Sequence, residues 1–366
     1  MNLINGNVFI NRKFEKTNIK VTDNIISGIS SDFSDDNNLD CSEKYIIPGL
    51  VDIHTHGCAG FDFSSASADE IAVMRKYYLK HGITSILAAT VSLSDEDILS
   101  AVTNIKTAAA KEETGTRISG INLEGPYLSA KKCGAHNIDL LKAPDIEFIK
   151  SLGNFIKVVN VAPEYENSAD FIKSFIGKTS IAHTDCDYTQ AMTAIRLGAD
   201  HITHIFNAMN GLHHRNPGVI GAFFDSEAVA ELICDGIHIA APILRMMFRA
   251  YSERIAIISD SMAATGLDNG MYKLGSLDVI VNNSVATLSD GTLAGSTMNI
   301  YDMMCNLISI GVPPEKAIAS ATQIPAKSVN LDDTCGIIDN GRNADLLILN
   351  KDFTIDKIIF NGRFIC

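Results

Sequence analysis

Residues Ile47–Gly57 read I-P-G-L-V-D-I-H-T-H-G, and the rest of the chain can be read outward from them. Pro48 and Gly49 interrupt the chain, Leu50 to Ile53 have the apolar character of a buried strand, and His54 and His56 follow at its end. Successive strand side chains point to opposite faces, so the two imidazoles project the same way. Neutral ring nitrogens held side by side on rigid backbone suit a divalent metal. A bare H-x-H is equally a histidine pair at a loop mouth, so the choice turns on whether other segments supply ligands in matching places.

Downstream the pattern is strand then helix, repeated. Asp69–His81 and Asp95–Lys111 have helical character. Strands are predicted at Ile83–Ala88, Ile118–Leu123, Ile156–Val161, Ser180–Ala182, Asp200–Thr203, Val229–Ile233 and Arg254–Ile258. With the first they make eight, and eight such units over roughly 250 residues fit an α/β fold of the (β/α)8 TIM-barrel type. A doubly wound open sheet is the alternative, but no G-x-G-x-x-G follows the first strand. Residues 1–46 and 336–366 read differently, as short β-prone pieces separated by turn residues, with a loop over Ser30–Asn38. The termini are therefore expected to meet in one small sheet domain flanking a barrel over 47–335. A β-hairpin insertion is expected near 269–290. Asn299–Leu307 and Pro314–Asn330 read as closing helices, with Met298, Met303 and Met304 in the core.

The 366 residues are 46% hydrophobic and 20% charged, enough for a large core. A net charge of −13 disfavours nucleic acid or an anionic membrane as partner, and any anionic substrate must find a local cluster of positive groups. No apolar run reaches the roughly 18–20 residues of a membrane span, and the opening M-N-L-I-N-G-N does not read as a signal peptide. The expectation is a soluble, cytoplasmic protein. Eight cysteines without C-x-x-C spacing read as reduced thiols, neither a zinc ribbon nor a disulfide framework.

In a TIM barrel the functional side chains stand where strands end. The first strand ends in His54 and His56, the third in Glu124, the fifth in His183, the sixth in His204 and the eighth in Asp260. Any one of these alone is ordinarily a buried, hydrogen-bonded residue. Six on one rim would repel or lie unsatisfied without a cation.

Further motifs then fall in order: E-G-P-Y from 124, G-A-H from 134, A-H-T-D from 182, T-H-I-F-N-A-M from 203, H-R-N-P-G from 214, D-G-I-H from 235, S-D-S-M-A-A-T-G from 259 and L-A-G-S from 293. In these the chain resembles the N-acetylglucosamine-6-phosphate deacetylases of the amidohydrolase superfamily, over nearly its whole length. The resemblance implies a metal-dependent barrel with a small β-sandwich built from both termini, in a homodimer. It implies Glu124, His183 and His204 as principal metal ligands, with His54 and His56 making room for a second ion and Glu124 touching both. One or two divalent ions per subunit are expected, zinc first, with iron, manganese or cobalt tolerated by the same ligands. Asp260 matches the general base and acid, although an Asp in S-D-S-M could also cap a following helix. His136 matches a contact to the acetamide or sugar, with Ala135 beside it. Asn207, Ala208 and the turn Leu293, Ala294, Gly295 match a grip on the ligand. Arg215, after His213 and His214, matches the phosphate contact, and Asp235 and His238 of D-G-I-H a phosphate or sugar contact. Arg215 or His238 could serve a neighbouring subunit. Cys58, where glycines commonly follow, is a nearby thiol that could compete for metal. The implied reaction is hydrolysis of an acetamide on an amino-sugar phosphate. A galactosamine-directed deacetylase is the alternative within the enzymes, and a non-catalytic sugar-phosphate sensor outside them.

Overall fold

The computed structural model describes residues 1–30, 37–111 and 115–365. Most of the loop read over Ser30–Asn38, and Cys366, lie outside them.

Eight parallel strands make the barrel: β1 (Leu50–Thr55), β2 (Ile83–Thr90), β3 (Arg117–Leu123), β4 (Ile156–Val161), β5 (Lys178–Ile181), β6 (Ala199–Ile202), β7 (Val229–Ile233) and β8 (Ile255–Ile258). They lie side by side in chain order. Helices cover the outer face, so β1, β2 and β8 are buried along their whole length, which is why they read as near-continuous apolar runs. At the site end β8 meets β1 through backbone bonds: Asp260 N–H donates to His54 O at 2.9 Å, and the His56 and Gly57 N–H groups donate to Ser261 O at 2.8 and 2.9 Å. The same bonds fix His54, His56 and Asp260 relative to one another.

Several of the outer helices begin where the sequence provides a side-chain cap. Ser67 and Glu70 form a reciprocal capping box at Ala68–Lys80, and Ser94 caps Asp95–Ala109. The helix read over Pro314–Asn330 is two helices, Pro314–Ala321 and Gln323–Ser328, broken at Thr322. The break puts Pro325 in a first helical turn; in a continuous helix its ring would press on the carbonyl of Ala321. Met303 and Met304 are fully buried, and Met298 packs against the same core. No helix among the described residues is long and apolar enough to cross a membrane.

Both termini enter one mixed eight-stranded sheet, wrapped around Leu3, Val8, Ile19, Ile46, Leu346, Ile348 and Ile359. Its strand Tyr45–Pro48 pairs with Leu346–Leu349, and only Gly49 separates it from β1. A Cβ at Gly49 would lie 2.2 Å from the Thr84 side chain, so glycine is what lets the two sheets join so tightly. The insertion is a three-stranded antiparallel sheet, Gly270–Leu274, Leu277–Asn282 and Val285–Thr287. It packs on Val91, Ala135, Met262 and Ala294 and so leans over the site loops.

A polar layer crosses the barrel interior beneath the rim. Asn160 Nδ2 donates to Asn122 Oδ1 at 2.6 Å and to Leu123 O at 3.1 Å, and Asn122 Nδ2 donates to Ile53 O at 3.0 Å. The Thr203 hydroxyl donates to Asn160 Oδ1 and meets Ser180 Oγ at 2.6 Å. These four side chains tie β3, β4, β5 and β6 together, with β1 reached through its carbonyl. Asn160→Ala should lower stability by about 1–3 kcal/mol, because it leaves Asn122 Oδ1 buried without a donor and takes from Thr203 its carboxamide acceptor. Urea unfolding of the two proteins measures this directly.

Candidate metal centre

Glu124 stands at the end of β3 and both its carboxylate oxygens are engaged. Oε1 lies 3.2 Å from His183 Nε2 and 3.0 Å from His204 Nε2, and those two nitrogens are 3.1 Å apart. Oε2 lies 3.1 Å from His56 Nε2 and 3.4 Å from His54 Nε2. Asp260 Oδ1 is 3.1 Å from His56 Nε2 and 3.8 Å from His54 Nε2. The donors thus form two groups, one of His54, His56, Glu124 and Asp260, the other of Glu124, His183 and His204, with Glu124 in both. All six side chains are buried.

The ring protons can be assigned from their partners. A carbonyl only accepts, so His183 Nδ1, 2.9 Å from Lys132 O, carries the proton and its Nε2 presents a lone pair to Glu124. A backbone N–H only donates, so His136 Nδ1 accepts from Ser92 N at 3.1 Å. A neutral His136 therefore carries its proton on Nε2, which lies 3.4 Å from Glu124 Oε2 and faces the same space. Burial pushes His183 down to about 4 and keeps it neutral. Burial also opposes charge on His54 and His56, yet neighbouring carboxylates outweigh it: Glu124 and Glu231 hold His54 well above its ordinary value, and Asp260 and Glu124 hold His56 at about 9. Glu124, for all its burial, is held well below the usual carboxylate range by His54, His136 and His183. The pocket therefore demands positive charge. Among the described residues His54 Nε2 has no hydrogen-bond partner, and at least two ring nitrogens converge on each Glu124 oxygen, an arrangement that a divalent cation with nitrogen and oxygen ligands fits.

Three of these residues hold left-handed backbone: His183 at φ 40°, His204 at 26° and Asp260 at 47°. Non-glycine residues resist that region, at a cost of about 1–3 kcal/mol each. The surrounding barrel holds them there so that each side chain turns inward over the mouth.

The donors floor a cleft of ≈270 Å³ whose walls include Ala135, His136, Asn207, Ala208, His238, Leu293 and Gly295. Leu274, from the inserted sheet, is part of the same wall. Ala294 is fully buried behind it. Asp235 does not line the cleft; its carboxylate accepts from His238 Nδ1 at 2.7 Å and from the N–H groups of Ile237 and His238 at 2.8 and 2.9 Å, orienting the His238 ring. Arg215 is not in the cleft wall either. It lies on an exposed turn, 2.8 Å from His214 Nε2, beside a separate hollow with His213 and Asn210. Cys58 is buried with Sγ toward Met74 O at 3.8 Å and belongs to neither donor group. No helix begins directly after Asp260, the next element being the strand Gly270–Leu274, so the capping alternative has no helix to cap.

Not every residue of this region could be read from the sequence. Glu231, in the middle of β7, is fully buried and its Oε2 lies 2.9 Å from His54 Nδ1. The available signal was a lone carboxylate within V-A-E-L-I, a strand otherwise apolar.

The amidohydrolase family model matches residues 45–365. The chain belongs to the amidohydrolase family. Among its amidohydrolase relatives, an N-acetylglucosamine-6-phosphate deacetylase of Bacillus subtilis is 35% identical over 335 residues, covering 88% of this chain and 85% of that protein. An N-acetylgalactosamine-6-phosphate deacetylase of Escherichia coli O157:H7 is 30% identical, covering 87% of each. The crystal structure of N-acetylglucosamine-6-phosphate deacetylase from Pasteurella multocida superimposes with a TM-score of 0.94 at 26% identity, covering 100% of this chain and 99% of that one. This amidohydrolase thus shares its architecture, barrel and terminal sheet together, with a deacetylase of known structure.

Proposed function

We propose that this amidohydrolase hydrolyses the acetamide of N-acetylglucosamine 6-phosphate to glucosamine 6-phosphate and acetate. The reading rests chiefly on one observation: Glu124 belongs to both donor groups, at the floor of a cleft that can take one small substrate. The deacetylase relatives supply the substrate class. We propose Glu124, His183 and His204 as the ligands of one ion and His54, His56 and Glu124 as those of a second, with zinc as the metal. When bound, the ions lower the pKa of water and polarise the amide carbonyl.

The remaining work falls to side chains. Asp260 takes the proton of the attacking water and returns it to the leaving nitrogen, which must depart as an amine. His136, protonated on Nε2 through its contact with Ser92, donates to the carbonyl oxygen as charge builds there. His238, held by Asp235, and Asn207 with Ala208 orient the sugar. The turn Leu293–Gly295 covers it.

Acetate release by the purified protein tests the reading, with and without chelator and beside the galactosamine epimer. Release from the glucosamine substrate, abolished by chelation and restored by zinc, is expected. No acetate from either epimer with metal-loaded protein would end it. Faster release from the galactosamine epimer would favour the second reading, which the Escherichia coli O157:H7 relative supports.

Because Arg215 stands outside the cleft, we propose that it reaches the phosphate of a neighbouring subunit in a homodimer. Arg215→Ala should raise KM for the phosphorylated substrate by about 10-fold or more, as losing a hydrogen bond between charged groups implies. KM for the unphosphorylated sugar should barely change. Mixed dimers of Arg215→Ala and Asp260→Asn protein should recover, at low substrate, the low-KM turnover that neither has alone. Equal loss on both sugars, or no recovery on mixing, would remove Arg215 from this role.

A further inference from the structure

We infer that Glu231 is a positioning residue for the β1 half of the centre, and that the second cation depends on it. The inference builds on the two-ion reading above.

Glu231 is fully buried in the middle of β7, between Ala230 and Leu232. An isolated carboxylate in such a place is strongly unfavourable unless it is paired. Among the described residues its side chain has one partner, His54 Nδ1 at 2.9 Å, and its other oxygen has none. The bond fixes the rotation of the His54 ring and turns Nε2 toward Glu124 Oε2 at 3.4 Å and Asp260 Oδ1 at 3.8 Å.

The other half of the centre is backed differently. Behind His183 stands a neutral carbonyl, Lys132 O at 2.9 Å. A carboxylate behind a ligating histidine makes that histidine the more basic donor and locks its orientation, where a carbonyl does so more weakly. The asymmetry is therefore built into the strands: β7 supplies negative charge to the β1 position alone. Glu231 also touches the other half through its backbone, since its carbonyl accepts from Ile205 N at 2.9 Å, the residue after His204. One residue thus sets the spacing of both halves and the charge of only one.

The test is metal uptake by full-length wild-type and Glu231→Gln protein, dialysed against buffers of graded free zinc and assayed by mass spectrometry. Glutamine preserves the volume and removes the charge. Wild type should take two equivalents. In Glu231→Gln the weaker equivalent should shift to about 10–100-fold higher free zinc, the usual cost of losing such a partner, with the tighter one unmoved. The unmoved equivalent reports that the barrel is folded. In cobalt-loaded protein, the visible band of the second equivalent should shift in the variant and that of the first should not. Identical titrations for the two proteins, a single equivalent in wild type, or parallel weakening of both equivalents would each overturn the inference. Uptake is measured without substrate, so a chain that shows the split but releases no acetate keeps this inference and loses the deacetylase reading.

Discussion

Asp260→Asn should lower kcat by about 10²–10⁴-fold, the range that removal of a positioned proton carrier produces. Asparagine keeps the shape and the backbone bonds to His54 and Ser296, so the left-handed turn at 260 is retained. It removes the one carboxylate of the rim that is not shared between the two donor groups. The ligands Glu124, His183 and His204 are untouched, and at least one metal equivalent should remain. Steady-state acetate release beside metal analysis checks both halves of the statement. A variant with near-normal kcat would take Asp260 out of the mechanism, and one stripped of all metal would make it a ligand first.

Glu124→Gln carries the second large effect. Its carboxylate is the donor common to both groups, with two histidine nitrogens facing Oε1 and three facing Oε2. An amide offers one oxygen and no charge, and its NH2 group would point at lone pairs on the side where the second oxygen was. Both cation positions should weaken by more than about 100-fold, beyond the upper end of what loss of an outer partner costs. Acetate release should fall with them. Metal analysis after gel filtration is the direct measurement. Retention of either equivalent at wild-type affinity would show that Glu124 does not serve both positions.

The barrel was legible because short strands alternate with helical stretches, several of them opened by a side-chain cap such as Ser67, Ser94, Asp145 or Asp187, so period and punctuation agree. Strand ends moved by a residue or two; β1 runs on through Thr55 and takes His54 into the strand. Thr322 was harder, since its break answers to Pro325 within an otherwise helical pattern. At the site, His54, His56, Glu124, His183, His204 and Asp260 could be read because a barrel places strand ends together and the residue types are costly to bury. Glu231, Asn122 and Asn160 could not, for they lie inside strands, where position gives no hint of a functional side chain. Their partners, His54, Ile53 and Thr203, come from strands distant in sequence. Arg215 shows the opposite limit: a motif places it in order along the chain, while the fold of one chain leaves it outside the cleft.

The bonds that join β8 to β1 give the order of the chain a chemical meaning. Glu124, His183 and His204 all precede, in chain order, the β8–β1 seam that brings Asp260 beside His54 and His56. One donor group thus lies wholly before β8 in chain order, while the other needs the β8–β1 seam to bring His54, His56 and Asp260 together.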